Sequence, residues 1–385
     1  MSVFTYYGFF AGGGMARAGL GGNWRCLFAN DFEKKKVDAY IVNWGDKEIS
    51  LGDIHDLATE TDRLPGQADM AWASFPCQDL SLAGAGAGLQ GERSSAFWGF
   101  YDVIYALRLR NRAPDVLVLE NVVGLLTSNC GEDFHTICRA LKSLGYVFGA
   151  LVMDAKHFIP QSRPRLFIVA MKNELTMGGS NAVNSESDWT TTALLRAYNH
   201  LNADLKDSWR WWDVPAPASG RESELVEIIA ECPNDAPWHS KDETARLIKM
   251  MSSPSLERLD TAMKSSVKQV GTIYKRTRFN NAGNKVQRAE LRMDGVAGCL
   301  RTPGGGSSRQ VIVVVEAGEV RSRLLSSREA ARLMGLNDDY QLPSNYNEAY
   351  HLLGDGLAVP VVRHLGNFIA GALNQSSQIA AVAAE

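Results

Sequence analysis

A lone cysteine stands between a proline and a glutamine in Pro76-Cys77-Gln78, directly after an apolar run that is typical of a buried strand. The thiolate of cysteine is a strong nucleophile, and a rigid proline beside it would orient the side chain outward from the loop. The five other cysteines show neither a CxxC pair nor zinc spacing, so we interpret them as reduced core thiols and expect no metal site. By position alone, Cys77 is either a nucleophile or a small buried apolar residue.

A carboxylate and three hydrogen-bond donors stand beside other apolar runs. Glu120 follows the apolar residues 116–119, and an acid at the end of a buried strand suits catalysis, because burying an unpaired charge is costly. Gln161, Arg163 and Arg165 alternate just before a further apolar run, so their side chains should point to one side of the chain. Such donors can polarise a ring carbonyl, although a solvated strand edge would carry the same pattern.

A glycine-rich turn, Gly12-Gly13-Gly14, follows the first apolar run and precedes a helical pattern. Glycines allow a ligand to approach the backbone closely, and a helix N-terminus favours negative charge. Asp31 ends the next apolar run and can accept hydrogen bonds from ribose hydroxyls, whereas Asp53 is placed to contact an adenine amino group or to cap a helix. The three features in this order predict a nucleoside cofactor, and the turn matches neither the P-loop nor the dinucleotide-binding motif.

The elements that must position these residues alternate between strands and helices over the first 172 residues, which predicts an α/β domain with a largely parallel sheet. Ligands bind such sheets at the carboxyl ends of the strands, where the loops described above lie. Helical spacing over residues 134–144, with Gly145 as a stop signal, predicts one of the helices. The predicted strands are Phe4–Phe10, Trp24–Asn30, Met70–Phe75, Asp115–Leu119, Val147–Val152 and Leu166–Ala170.

The character of the chain changes beyond residue 172. Tryptophans, prolines and a basic segment predict a second, irregular domain at about 175–322. The sequence of residues 326–336 predicts a capped helix that ends at Gly335. A second apolar helical stretch is predicted from Gly354 to Leu373. Between Lys264 and Arg309, ten lysines and arginines stand against two acids, although the whole chain has a net charge of −3. This segment fits either a nucleic-acid backbone or a solvated face.

Several of these motifs together resemble the cytosine-5 DNA methyltransferases. The resemblance covers residues 4–172 and about 297–368. It is carried by Phe10-Ala11-Gly12-x-Gly14, Pro76-Cys77-Gln78, Glu120-Asn121-Val122, Gln161-x-Arg163-x-Arg165 and the stretch from Arg323 to Gly335. Gly8, Met15 and the sequence Gly354-Asp355-Gly356 depart from the family pattern, as does Cys299.

The resemblance implies a Rossmann-like domain that uses S-adenosyl-L-methionine and releases S-adenosyl-L-homocysteine. Residues 1–174 would form the catalytic and cofactor-binding domain, 175–322 the smaller target-recognition domain, 323–348 a hinge helix region, and 349–385 the return to the catalytic domain. A glycine-rich stretch at 81–95 would form a mobile lid over a flipped cytosine.

The family's residue roles carry over to matching positions of this chain. Cys77 would be the covalent nucleophile, with Glu120, Arg163 and Arg165 as the other catalytic residues. The implied cofactor-binding residues are Phe10, Ala11, Gly12, Gly14, Asp31, Asp53, Ile54, Pro76 and Asp355. The implied DNA-binding residues are Gln78, Ser81, Arg93, Gln161, Arg301 and Arg309.

Three other functions fit parts of the sequence: an RNA cytosine methyltransferase, a catalytically silent DNA-binding regulator and a cysteine hydrolase. We expect a monomeric, cytoplasmic and nucleoid-associated bacterial protein that acts on double-stranded DNA and pairs functionally with a restriction endonuclease. No apolar run approaches the roughly 20 residues of a membrane span, and we see no signal peptide.

Overall fold

The computed structural model describes residues 3–76, 96–173, 175, 179–183, 187–218, 220–279, 283–303 and 308–383. The chain divides into two compact units. The first contains Met1–Asp154, Pro164–Pro217 and Val361–Glu385, and the second contains Ala155–Arg163 and Ala218–Pro360.

The first unit alternates strands and helices as the sequence predicts. Its strands are β1 (Phe4–Phe9), β2 (Trp24–Asp31), β3 (Ile49–Leu51), β4 (Met70–Ala73), β5 (Val116–Val122), β6 (Tyr146–Asp154), β7 (Pro164–Lys172), β8 (Gly179–Ser180) and β9 (Trp211–Trp212). Its helices are α1 (Met15–Leu20), α2 (Lys34–Trp44), α3 (Ile54–Thr59), α4 (Ala96–Leu109), α5 (Glu132–Ser143), α6 (Thr192–His200) and α7 (Ala203–Asp207).

Seven strands form one sheet in the order β3-β2-β1-β4-β5-β7-β6. The pairs from β3 to β5 are parallel, and β7 runs antiparallel to both β5 and β6. The predicted α/β class and mostly parallel sheet are therefore confirmed, and all six predicted strands are present with bounds that differ by a few residues. The central strands β4 and β5 are buried along almost their whole length, as is typical of a parallel sheet that is covered on both faces.

Buried residues at helical spacing attach α4 and α5 to the sheet. Helix α5 buries Phe134, Ile137, Cys138 and Leu141, as the periodicity predicts. It ends at Ser143, and Gly145 follows with φ of 86°, a left-handed conformation that glycine adopts without strain. Helix α4 buries an aromatic and aliphatic face against the same core.

The second unit contains an antiparallel sheet, whereas the sequence predicts an irregular domain there. Its elements are α8 (Leu225–Ile228), α9 (Lys241–Lys249), α10 (Ser253–Met263), β10 (Gln269–Phe279), β11 (Lys285–Arg292), β12 (Val311–Glu316), β13 (Glu319–Leu324), α11 (Ser327–Arg332) and α12 (Tyr346–Asp355). The strand order is β11-β10-β12-β13. Charged residues on its solvent side hid the alternation, while Ile273, Leu291 and Val313 pack with Leu247 and Leu259 in the core of this unit.

The predicted capped helix is α11. The Ser326 side chain accepts a hydrogen bond from the Glu329 N–H, and Glu329 Oε2 accepts one from the Ser326 N–H at 2.9 Å. Glu329 also forms a fully buried, bidentate ion pair with Arg323, at 2.6 and 2.8 Å. Gly335 follows the helix with φ of 75°. The reciprocal hydrogen bonds of Ser326 and Glu329 form a capping box, which satisfies N–H groups at the helix start.

The compact units divide the chain at places other than the predicted domain bounds. Residues 187–217 belong to the first unit because Trp209 and Trp211 lie in its core and the Arg210 N–H donates to the Phe148 carbonyl at 2.8 Å. Residues 155–163 belong to the second unit. The functional roles assigned to the four predicted segments stay predictions.

The last helix, α13 (Val359–Ala383), begins at the boundary of the two units. The expectation that no stretch of the chain approaches the length of a membrane span is wrong by length and composition alone, because Tyr346–Gln375 meets both criteria. Its most apolar window is 67% buried inside the protein, and α12 and α13 are separate helices within the stretch. The buried fraction is that of a core element.

Candidate active site

The predicted nucleophile Cys77 lies outside the described residues, together with Gln78, Ser81 and Arg93. The segment that leads to Cys77 is described. Asn121 of β5 is buried, and its Nδ2 donates to the Phe75 carbonyl at 3.0 Å while its Oδ1 accepts from the Val122 N–H at 2.8 Å. The side chain of one strand thus fixes the backbone two residues before Cys77, and Pro76 between them is exposed.

Glu120 lies inside β5 rather than beyond its end. It is opposite Phe167 of β7, and Arg165 is opposite Val122, so Glu120 and Arg165 are diagonal neighbours across an antiparallel pair. Arg165 Nε lies 3.3 Å from Glu120 Oε1, and their side chains are 16% and 9% exposed. The structure therefore brings together two of the predicted catalytic residues, in an arrangement where the guanidinium fixes the orientation of the carboxylate.

The glycine-rich turn is joined to the end of β2 through Asp31. The Gly12 N–H donates to Asp31 Oδ2 at 2.9 Å, and the Glu33 N–H donates to Oδ1 at 2.9 Å. Burial raises the pKa of the Asp31 carboxyl, while the hydrogen bonds from Glu33 and Gly12 oppose that shift. The Ala11 N–H donates to the Asn30 carbonyl at 2.9 Å. Asp31 is thus a structural partner of the turn as well as a predicted ribose contact.

The glycines of the turn differ in their surroundings. Phe10, Gly12 and Gly14 have φ values of 56°, 55° and 83°. A Cβ on Gly14 would collide with the indole of Trp44, whose Nε1 donates to the Gly13 carbonyl at 3.3 Å. A Cβ on Gly12 would meet no atom within 4 Å. Gly14 is therefore required by packing, whereas the backbone at Gly12 borders open space where a ligand can approach.

Asp53 caps α3, and its Oδ1 accepts from the His55 N–H at 2.9 Å. Ile54 beside it is 4% exposed and belongs to the core. The cap is one of the two readings that the sequence allowed for Asp53, and the adenine contact stays a prediction.

Phe32 is a further candidate for contact with the cofactor, and the sequence analysis does not single it out. It follows Asp31 at the carboxyl end of β2 and is 63% exposed. An aromatic residue directly after the acid that ends a strand was the available signal, because a flat exposed ring can stack on a base.

Gln161 and Arg163 belong to the second unit and are buried there, at 0% and 1% exposure. Gln161 Oε1 accepts from the Leu300 N–H at 3.0 Å, and Nε2 donates to the Leu333 carbonyl at 2.5 Å. Arg163 donates to the carbonyls of Leu300, Gly354 and Gly356, at 3.0, 2.8 and 2.5 Å. Both side chains link loops of this unit by hydrogen bonds. Their predicted contacts with the base and with DNA stay predictions.

The other predicted residues of the second unit lie near its surface. Arg301 is exposed and lies over the ring of Tyr274, at 5.6 Å from its centroid. Arg309 donates to Asn347 Oδ1 and lies 5.8 Å from the ring centroid of Tyr346. Asp355 is exposed at the end of α12. Within the described ranges, no group of three or more His, Cys, Asp and Glu side chains is arranged to hold a metal ion.

Comparison with known proteins gives a consistent result. A family model described as "C-5 cytosine-specific DNA methylase" matches residues 4–370. "Type II methyltransferase M.HpaII" from Haemophilus parainfluenzae is 26% identical, over 95% of this chain and 89% of the relative. "Type II methyltransferase M.BsuFI" from Bacillus subtilis is 28% identical, over 96% of this chain and 72% of the relative.

Solved structures show the same fold. A DNMT2 mutant from Spodoptera frugiperda aligns with a TM-score of 0.59 and 16% identity, over 95% of this chain and 99% of that one. A putative DNA modification methyltransferase encoded within an E. coli prophage aligns with a TM-score of 0.55 and 14% identity, over 96% and 99% of the two chains. At these identities the likeness concerns the fold alone.

Proposed function

Because the chain belongs to the C-5 cytosine-specific DNA methylase family, we propose that it methylates carbon 5 of a flipped cytosine in a short duplex sequence through a covalent Cys77 adduct. The activity of the family is methyl transfer to cytosine in DNA, so the chain is an enzyme and DNA is its substrate. The family match over residues 4–370 carries this conclusion. The Glu120–Arg165 pair and the Asn121 contact before Cys77 support the assignment of residues.

The first unit carries residues that fit S-adenosyl-L-methionine. The open space at Gly12 leaves room for the ligand beside the backbone, Asp31 offers a carboxylate to ribose hydroxyls, and the exposed ring of Phe32 can stack on adenine. Asp53 is exposed at the end of the neighbouring strand. When bound, this cofactor supplies an electrophilic methyl group on a sulfonium. Phe10, Ala11, Gly14, Ile54 and Pro76 complete the proposed set in this unit, and the resemblance alone assigns Asp355 of the second unit to the cofactor.

Cys77 would act on the cytosine ring as a nucleophile. Its thiolate adds to carbon 6, and the electrons of the double bond between carbons 5 and 6 make carbon 5 nucleophilic enough to accept a methyl group. A base or water then removes the proton from carbon 5. The carbon–sulfur bond breaks with return of its electrons to Cys77, so the double bond and the thiolate are regenerated.

Glu120 would share a proton with ring nitrogen 3 and accept from the exocyclic amine, which draws electrons from carbon 6 and favours the addition of Cys77. Arg165 would hold the Glu120 carboxylate in place, as their 3.3 Å separation supports. By the resemblance, Arg163 and Arg165 would both orient Glu120 and bind the base carbonyl. In the structure, the donors of Arg163 serve three carbonyls of the second unit, so its part in the proposal rests on the resemblance alone.

DNA contacts would hold the duplex once the base has left the stack. Flipping costs a few kcal/mol, which protein contacts must offset. The resemblance assigns such contacts to Gln78, Ser81, Arg93, Gln161, Arg301 and Arg309. We further infer a cytoplasmic monomer and, from relatives described as Type II methyltransferases, a functional partnership with a restriction endonuclease.

The decisive experiment is bisulfite sequencing of DNA from cells that express the protein, beside a Cys77→Ser variant. The expected result is one short motif methylated at carbon 5 and lost in the variant. Purified protein should also become covalently attached to duplex DNA that carries 5-fluorocytosine in that motif when the cofactor is present. Methylation of adenine, or of the cytosine amino group, would contradict the proposal, as would methylation of tRNA without methylation of DNA.

A further inference from the structure

The peptide group between Gly13 and Gly14 is held on both sides. The Gly14 N–H donates to the Ala11 carbonyl at 2.9 Å. The Gly13 carbonyl accepts from the indole Nε1 of Trp44 at 3.3 Å. Because a trans peptide group is planar and its N–H and C=O point in opposite directions, these two hydrogen bonds fix its orientation. The shape of the glycine-rich turn therefore depends on a side chain 31 residues further along the chain.

Trp44 is the last residue of α2, and its ring packs directly against the turn. A Cβ added to Gly14 would collide with the indole and would lie 3.1 Å from Cδ2 of Tyr40, which precedes Trp44 by one turn of the helix. Tyr40 is 1% exposed, so it has little freedom to move away. The position of the indole and the shape of the turn are thus coupled by packing as well as by the hydrogen bond.

Arg17 of α1 lies over the ring of Trp44. Its guanidinium carbon is 5.2 Å from the centroid of the indole and 5.7 Å from that of the Tyr40 ring. Arg17 Nη1 also donates to the Tyr40 hydroxyl at 3.0 Å and to Glu48 Oε2 at 3.2 Å. A cation over an aromatic face is attracted by its π electrons, and the Glu48 carboxylate holds that cation in place. The side chains of Arg17 and Glu48 are 25% and 27% exposed, so solvent screens the pair only in part.

We propose that Trp44, held by Arg17, is a positioning residue for S-adenosyl-L-methionine. It fixes the Gly13–Gly14 peptide, and with it the backbone of the turn that the cofactor would approach at Gly12. Three consecutive glycines have no side chains of their own to hold a shape, so their backbone loses much conformational freedom when a ligand orders it. A donor from α2 that holds the turn beforehand lowers this cost of binding. The inference rests on the proposed function and adds two residues that act through the backbone of the turn.

The test compares Trp44→Phe with Trp24→Phe. Trp24 Nε1 donates to the Gly366 carbonyl at 3.3 Å within the same unit, so each variant loses one indole donor to a glycine carbonyl at the same distance. Titration calorimetry measures the Kd of S-adenosyl-L-methionine and of S-adenosyl-L-homocysteine, and thermal unfolding measures stability. Trp44→Phe should raise both Kd values about five- to ten-fold, the effect of one neutral hydrogen bond. Trp24→Phe should lower Tm without changing either Kd.

Steady-state kinetics separate positioning of the cofactor from a general loss of structure. Trp44→Phe should raise KM for S-adenosyl-L-methionine and leave kcat and KM for DNA unchanged, because the lost contact serves binding rather than the chemical step. Arg17→Met and Arg17→Lys test the second residue and give a result even if Trp44→Phe does not fold. Arg17→Lys keeps a cation over the indole, so it should retain more cofactor affinity than Arg17→Met does.

Three results would overturn the positioning role while the methylation activity stands. They are a Trp44→Phe variant with the wild-type Kd, a loss confined to kcat or to KM for DNA, and equal affinity of Arg17→Met and the wild type. A wild-type protein that binds the cofactor but methylates no cytosine would instead overturn the proposed function. In that case the calorimetric comparison of Trp44→Phe with Trp24→Phe would still decide whether Trp44 positions the turn.

Discussion

Arg165 and Glu120 lie on adjacent antiparallel strands, and 3.3 Å separates Arg165 Nε from Glu120 Oε1. Both side chains are mostly buried, so the pair is less screened by solvent than an exposed ion pair. The planar guanidinium fixes the direction of the carboxylate as well as its charge. The pair therefore positions the acid of the proposed reaction. The two residues lie on paired strands, so their backbones are held in a fixed register.

Arg165→Ala should lower kcat by about 10- to 100-fold, because a misplaced catalytic group forfeits much of the advantage of fixed orientation. KM for DNA should change little, and Arg165→Lys should recover part of the rate because it restores the charge without the planar fork. Single-turnover transfer of a labelled methyl group measures the effect, with exposed Arg139→Ala as the matched control. A loss seen only in KM would contradict the positioning role.

Asn121→Asp should slow formation of the covalent adduct. The substitution keeps the acceptor for the Val122 N–H but puts an oxygen where Nδ2 now donates to the Phe75 carbonyl. A buried acceptor left without its donor costs about 1–3 kcal/mol, and here the cost falls on the segment before Cys77. The rate of attachment to 5-fluorocytosine DNA is the measurement.

The control for this change is Asn129→Asp, which makes the same chemical change at an exposed position of the first unit. It should attach at the wild-type rate. Equal rates for Asn121→Asp and wild type would show that the Phe75 contact does not position the nucleophile.

Gly14→Ala and Gly12→Ala should separate stability from cofactor binding. Both residues have positive φ, which costs a substituted residue roughly 1–2 kcal/mol. Gly14→Ala adds a collision with Trp44 and should lower Tm further than Gly12→Ala does. Gly12→Ala fills open space where the cofactor should lie, so its affinity loss should exceed its stability loss. Thermal unfolding and titration calorimetry with S-adenosyl-L-methionine test the order, and the reverse order would contradict it.

The sequence predicted the sheet of the first unit because its strands are buried on both faces and read as continuous apolar runs. Helix α11 was predictable because Ser326 and Glu329 stand at capping-box spacing. The sequence does not predict strands β10 and β11, since their exposed positions carry lysine and arginine that hide the alternation. Only the cluster of positive charge could be read there.

The positions of Gln161 and Arg163 show a different limit. Alternation places side chains on a common side of a local segment, but it does not say which part of the chain covers that side. Here Leu300, Leu333 and Gly354, more than a hundred residues away in sequence, supply the partners. Buried polar networks of this kind depend on tertiary contacts, so residue types alone leave the site role of both side chains open.

Arg323→Ala should destabilise the second unit strongly. It leaves Glu329 as a buried charge without its bidentate partner, a change that typically costs about 3–5 kcal/mol. The double variant Arg323→Met with Glu329→Met should melt above Arg323→Ala because no unpaired charge is buried. The control is Arg332→Ala, which breaks the 2.7 Å pair with exposed Asp338 and should cost about 1 kcal/mol or less. Thermal unfolding checks all three, and similar losses for Arg323→Ala and Arg332→Ala would contradict the argument.

Cofactor affinity should decrease on acidification at a higher pH than an exposed aspartate would produce. Burial raises the pKa of Asp31, so its carboxylate gains a proton at a higher pH. The protonated group then accepts less well from its two N–H donors and from the proposed ribose hydroxyl. The folded-state pKa lies above the unfolded value, so protonation of Asp31 favours the folded state relative to the unfolded one. Loss of affinity in this window is therefore separable from unfolding.

Titration calorimetry with S-adenosyl-L-methionine at a series of pH values between about 4.5 and 7.5 measures the effect, with circular dichroism at each pH to confirm folding. Asp31→Asn removes the titrating group while keeping the shape of the side chain. Its affinity should be weaker at pH 7 and nearly constant over the same range. If Asp31→Asn lost affinity along the same curve as the wild type, another group would control binding, because a residue that does not titrate cannot produce the slope.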